Sequence, residues 1–159
     1  MTNYEIRVFK ETVITGYAAN LPLPTMENIK EVSDKKTSHF SSLAQSGKFG
    51  KLMAESRDRI GYALSTTEKD HLEYFAGANT TAGDEEAEER IIPAGEYVVL
   101  TAQGGPSRLL FDQLIGEFFG KILPEHPELY QEDTFVVEAL LNGNPMDAEV
   151  ELRIPLAKK

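Results

Sequence analysis

Ala148-Glu149-Val150-Glu151-Leu152-Arg153-Ile154-Pro155-Leu156 alternates without a break. Val150, Leu152 and Ile154 point one way and Glu149, Glu151 and Arg153 the other, the period of two of a strand with one apolar and one acidic face. Pro155 cannot donate to a central ladder, so it marks the strand's end or an edge position. A row of carboxylates on an interior strand calls for a cationic or polar group above it. The rest of the chain reads as scaffolding around that face.

Upstream of this strand, Asn142 to Asp147 is a turn, and Phe135 to Leu141 is an apolar strand interrupted only by Glu138. Leu110, Leu114, Phe118 and Lys121, with Phe111, Ile115 and Ile122 beside them, mark a helix that starts near Pro106 and stops at Leu123-Pro124. Glu96 to Ala102 is the strand before it. The first half has the same plan. Tyr4 to Ala19 reads as a long strand or a bent pair, with a bulge or close approach at Gly16. Leu21-Pro22-Leu23-Pro24 ends it. Met26, Ile29 and Val32 have helical spacing, and a helix is expected over Ser33 to Ser46, with Ser33 or Asp34 as N-cap and Phe40, Leu43 and Ala44 as its buried stripe. Arg59 to Ser65 and His71 to Ala78 form an antiparallel hairpin. Thr80 to Arg90, with five acidic residues, reads as a solvated linker.

The order is β-α-β-β, linker, β-α-β-β, within one domain of 159 residues: a first module over about 1–79, an acidic linker over about 80–90 and a second module over about 91–159. The expected fold class is α+β, duplicated β-α-β-β modules with pseudo-two-fold symmetry. Two helices cannot cover both faces of such an antiparallel sheet, so helices lie on one face and a concave ligand groove on the other.

Composition narrows the function. Sixteen Lys and Arg against 26 Asp and Glu leave a net charge of −10, which repels a phosphate backbone and argues against direct nucleic-acid binding. It leaves a basic protein partner open. There are no cysteines, consistent with a reducing cytoplasm. No apolar run reaches membrane-spanning length. His39, His71 and His126 have no metal-ligand spacing, so no metal is expected, and a small-molecule-binding module implies no cofactor.

Ile92-Pro93-Ala94-Gly95-Glu96-Tyr97-Val98-Val99 resembles the entry to the second half of GyrI-like small-molecule-binding domains, which are also the effector-binding domains of bacterial multidrug-responsive transcription activators. Glu151-Leu152-Arg153-Ile154-Pro155 resembles the family's terminal strand. Ile60-Gly61-Tyr62 with Tyr74-Phe75-Ala76-Gly77 resembles the hairpin closing its first half. The resemblance spans nearly the whole chain in the right order. It implies a central groove lined by aromatics and carrying a buried acid. That acid falls on Glu151, and the strand-entry tyrosine falls on Tyr97. The family's tryptophans are absent, with Phe40, Phe118 and Phe119 as substitutes, and Leu140 stands where an aromatic is usual. Because the match starts at the first residues, a stand-alone sensor or enzyme domain is expected.

The candidate ligand-binding residues are Glu151, Tyr97, Glu138, Tyr17, Phe40, Tyr62, Tyr74 and Phe118. Glu138 sits among apolar neighbours, so it needs partners or a shifted pKa. The resemblance implies three functions. In the first, a hydrophobic, aromatic, cationic small molecule is held by Glu151 and stacked aromatics. In the second, Glu151 and Tyr97 activate and position water to hydrolyse a strained cyclopropane. The third is a protein-binding inhibitor like those of DNA gyrase.

Overall fold

In the computed structural model, residues 4–25, 27–81, 85–130 and 134–156 are described. Met26 of the helical spacing, Gly83 and Asp84 of the linker, and the residues before Tyr4 lie outside them. The chain forms β1 (Glu5–Phe9), β2 (Thr12–Leu21), α1 (Ile29–Gln45), α2 (Lys48–Ala54), β3 (Gly61–Thr67), β4 (Leu72–Ala78), β5 (Glu88–Ile92), β6 (Gly95–Gln103), α3 (Ser107–Glu117), a π-helical turn (Phe118–Ile122), β7 (Phe135–Leu140) and β8 (Glu149–Pro155).

The alternating stretch forms β8, an interior strand between β6 and β7. Val150, Leu152 and Ile154 are fully buried and pack beneath Leu110, Phe111, Leu114 and Phe118 of α3 and its π turn. Each such side chain contributes roughly 1.5–3 kcal/mol through the area it removes from water. Pro155 is the last residue of β8.

All eight strands form one antiparallel sheet, in the order β1-β6-β8-β7-β3-β4-β2-β5. Reading the order from either edge gives the same pattern with the halves exchanged, as the duplicated plan predicts. The fold is α+β. Each half opens with a bent pair of strands, and its short first strand joins the other half: β1 pairs with β6, and β5 with β2. Phe9 and Thr12 can be no more than about 11 Å apart. Yet β1 and β2 are six places apart in the sheet, about 29 Å if it were flat. The sheet therefore curls into a half-barrel. Gly16 opposes Gly77 in the β2–β4 register. A Cβ on Gly16 would collide with the Ala76 carbonyl, and one on Gly77 with the Thr15 carbonyl. This is the close approach expected at Gly16.

Two boundaries differ from expectation. Strand β5 starts at Glu88, inside the span read as linker. Arg90 pairs with Glu73 at 2.9 Å and Glu88 at 2.8 Å, which neutralises enough of the acidic run for it to join an edge. Helix α1 starts at Ile29, ahead of the expected Ser33. Thr25 N donates to Asn28 Oδ1 at 2.6 Å and Asn28 N to Thr25 Oγ1 at 3.2 Å, a reciprocal turn that launches the helix earlier. Ser33 and Asp34 lie inside α1, bonded to Asp112 and Lys30.

Register sets which residues share a face. Leu100, Leu152, Glu138, Ala63, Ala76 and Tyr17 form one row across the sheet, beneath the helices. Thr101, Glu151, Ala139, Tyr62 and Gly77 form the next row, on the opposite, concave face. The two candidate acids thus point in opposite directions.

Candidate functional site

Side-chain size along the first row leaves a partly open space. Where β7, β3 and β4 meet, the sheet presents Gly61, Ala63 and Ala76 to the helices. These short side chains cannot reach α1 and the start of α3, and a cavity of about 310 Å³ remains. Such a volume is at the small end of ligand pockets. Phe40, Phe111, Leu140, Pro145 and Met146 wall it. It straddles β3 and β7, where the two halves join.

Glu138 stands at its floor, 2% exposed. Arg108, from the first turn of α3, donates to both carboxylate oxygens: Nη1 to Oε1 at 3.0 Å and Nη2 to Oε2 at 2.7 Å. Tyr74 Oη donates to Oε1 at 3.3 Å, and Lys36 Nζ of α1 lies 3.6 Å from Oε2. Burial by itself would raise the Glu138 pKa. The charges of Arg108 and Lys36 and the hydrogen bonds from Arg108 and Tyr74 overcome it and hold the carboxyl at about 2. Burial opposes the charge on Arg108 as well, but Glu138 outweighs it and raises its pKa. Burial, and then Glu138, push the Tyr74 phenol up. Lys36 is the exception: burial lowers its pKa despite Glu138. Asp112, one turn along α3, accepts from Arg108 Nε at 2.9 Å and lies 2.8 Å from the same Nη2 that bonds Glu138.

The concave face is filled by the chain itself. Arg153 Nε donates to Glu151 Oε1 at 2.8 Å, and Arg7 Nη2 to Oε2 at 3.0 Å. The Arg153 guanidinium lies 4.1 Å from the Phe9 ring centroid. Tyr62 donates to Asp58 at 2.7 Å, and burial, then that bond, raise its pKa. Tyr97 donates to the Pro93 carbonyl at 2.6 Å, and burial pushes its phenol up to about 12. Ile14, Leu64, Phe75, Val99 and Val137 complete a buried cluster there. The open space lies under the helices, whereas the expected groove faced away from them.

Of the sequence candidates, Glu138, Tyr74 and Phe40 meet at the cavity. Tyr62 borders it through its place in β3, while its phenol turns to Asp58. Glu151 and Tyr97 lie on the concave face. Tyr17 packs with Leu43 and Phe49, with Lys48 Nζ 4.7 Å from its ring. Phe118 is core beneath the second half, edge-on to Phe119 and Tyr130. His39 Nε2 lies 2.9 Å from the Tyr17 carbonyl oxygen. Sequence reasoning missed Lys36, Arg108 and Phe111. Lys36 had a signal: it sits four residues from both Val32 and Phe40, in the buried stripe of α1, where a lysine needs an acid.

A family model described as Cass2, integron-associated effector binding protein, matches residues 5–156. Among solved structures, a Staphylococcus aureus MU50 protein assigned to transcription regulation aligns at 14% identity and TM-score 0.78, over 99% of this chain and 100% of its own. SAV2435 bound to tetraphenylphosphonium aligns at 14% identity and TM-score 0.75, over 98% and 94%. The integron cassette protein VCH_CASS2, from the mobile metagenome of Vibrio cholerae, aligns at 15% identity and TM-score 0.63, over 97% and 95%. At these identities the likeness is one of fold. No curated protein matches the chain. Among the described residues, no helix is long and apolar enough to cross a membrane.

Proposed function

The chain belongs to the Cass2 family of integron-associated effector binding proteins, and on that premise we propose that it binds a flat, apolar aromatic small molecule in the cavity beneath α1 and α3. The cavity carries this reading: about 310 Å³, walled by Phe40 and Phe111, floored by small residues, with a few polar groups converging at one end. The fold shared with SAV2435, solved with an aromatic cation, supports the aromatic body of the ligand.

The positive charge expected from sequence meets opposition here. Glu138 is already held two-for-two by Arg108. A ligand cation beside it would compete with Arg108 and Lys36 for the same carboxylate. Hydrolysis by Glu151 and Tyr97 has no support from the cavity, because the Glu151 oxygens are engaged by arginines and the Tyr97 hydroxyl by Pro93.

A thermal-shift panel of flat aromatic compounds on wild type and Ala63→Leu tests the proposal. A ligand at 100 times its Kd stabilises by about 2.7 kcal/mol, roughly 5–10 °C for a domain of this size. The longer side chain fills the cavity, so the variant should fold and lose the shift. An undiminished shift in the variant rules the cavity out.

A further inference from the structure

Lys36 makes the contacts that an aromatic cation would seek in the cavity. Its side chain is 9% exposed, and its Nζ stands 3.6 Å from Glu138 Oε2. The same nitrogen lies 5.5 Å from the centroid of the Tyr74 ring. A carboxylate and an aromatic ring within reach of one nitrogen is the arrangement that recognises organic ammonium groups. Here a lysine of the chain fills it.

Glu138 holds two cations, and Lys36 is the looser one. Arg108 donates to both Glu138 oxygens at 3.0 and 2.7 Å and to Asp112 at 2.9 Å. The 3.6 Å separation of Lys36 from Glu138 is longer than a hydrogen bond. Burial lowers the Lys36 pKa against the pull of Glu138 and Asp112, so its charge is incompletely compensated where it sits. Asp112, whose side chain is 40% exposed, acts on Lys36 through its charge and offers a carboxylate to an ammonium that swings outward. Charge balance adds a constraint. Arg108 and Lys36 are matched by Glu138 and Asp112. A further cation added to this set leaves one positive charge over, whereas a cation that takes the place of Lys36 keeps it neutral. An uncharged ring needs no such exchange.

We propose that Lys36 is a built-in competitor for the cavity: a cationic aromatic ligand binds by displacing the Lys36 ammonium from Glu138 and Tyr74 outward to Asp112, while Arg108 stays on Glu138. This rests on the cavity being the ligand site. Lys36 is then a specificity-determining residue. It admits uncharged rings beside it and sets a threshold that a cation must exceed.

The test pairs 2-naphthylmethyltrimethylammonium with 2-neopentylnaphthalene, its uncharged isostere. Both are titrated at pH 7 by naphthalene fluorescence into wild type and Lys36→Met. The affinity ratio of cation to isostere should rise at least tenfold in Lys36→Met, checked for a native melt. In wild type, N-hydroxysuccinimide acetate followed by peptide mass spectrometry should acetylate Lys36 at least fivefold faster when the cation saturates the protein, and no faster with the isostere. An unchanged or lower ratio in a folded Lys36→Met overturns the inference and leaves the cavity standing. So does a bound cation that leaves Lys36 acetylation unchanged, or a cation that binds neither protein while the isostere binds. If Lys36→Met does not fold, wild type decides alone: faster acetylation with the cation supports the exchange, and unchanged acetylation or no cation binding overturns it. If neither probe binds either protein, the cavity reading falls and the inference with it.

Discussion

Arg108→Met removes one end of the buried fork and leaves Glu138, 2% exposed, without two charge-assisted bonds of 3.0 and 2.7 Å. Removing one partner of a buried pair typically costs 3–5 kcal/mol, because the other charge stays behind without compensation. Lys36 remains 3.6 Å away, so the low end applies, about 3 kcal/mol. That corresponds to roughly 6–12 °C in melting temperature. The linkage argument gives a similar size. A carboxyl held at about 2 in the fold against an ordinary 4.5 is worth about 3 kcal/mol at neutral pH. Its folded pKa is depressed, so this stability is complete above pH 4.5 and is lost as the pH falls toward 2. Urea melts followed by circular dichroism, at pH 7 and at steps down to pH 3, measure it. The gap between wild type and Arg108→Met should be about 3 kcal/mol at pH 7 and shrink on acidification. Arg108→Met/Glu138→Gln should recover at least half of the loss, since the stranded charge is gone. A loss under 1 kcal/mol, a gap that widens in acid, or a double variant no more stable than the single one would refute the reasoning.

Glu151→Gln should cost about 2 kcal/mol, less than a fully buried pair because Arg7 is 39% exposed, and should leave ligand affinity within twofold. A tenfold loss of affinity in a stable Glu151→Gln would return that carboxylate to the ligand site. Absorbance at 295 nm during alkaline titration should show Tyr62, Tyr74 and Tyr97 resisting ionisation, since all three phenols are raised by burial. A raised phenol stabilises the fold fully below the ordinary pKa of 10 and loses that contribution as the pH climbs through the folded value. Unfolding should therefore set in above pH 10, with these phenols ionising as it does. All six tyrosines ionising together near pH 10 in a still-folded protein would contradict the burial assigned to them.

Period-two alternation exposed β8, because one of its faces is apolar and the other carries Glu149, Glu151 and Arg153; the β3–β4 hairpin, packed on both faces, was readable from its apolar strands and the polar turn between them. The broad stripe of α3 was readable, like β8, from its one apolar face. β5 was hidden because charge, not apolar pattern, dominates its sequence. It joins the sheet through Arg90, whose partner Glu73 lies 17 residues away. At the site, Glu138 announced itself as an acid among apolar neighbours, but its partners come from other elements, Arg108 30 residues distant. The faces of the two acids were not legible for a sharper reason. Glu138 opposes Leu152, and Ala139 opposes Glu151. That register follows from the β7–β8 turn, where Asn142 Oδ1 accepts from the backbone of Asn144 and Glu149. A slip of one residue would put both acids on the same face. Alternation within a strand says nothing about the strand beside it.

The exchange of first strands between the halves also bears on how the chain is made. Glu5 pairs with Val99, so β1 leaves the ribosome roughly 90 residues before its partner exists, a wait of about 5–20 s at typical synthesis rates. Throughout that interval the first half has β1 without β6 and β2 without β5, and its open strand edges can template pairing with a neighbouring chain. Neither half is a finished product. A nascent chain stopped anywhere before Gln103 is a half-sheet in search of a partner, and only completion of the second half retires the hazard created by the first.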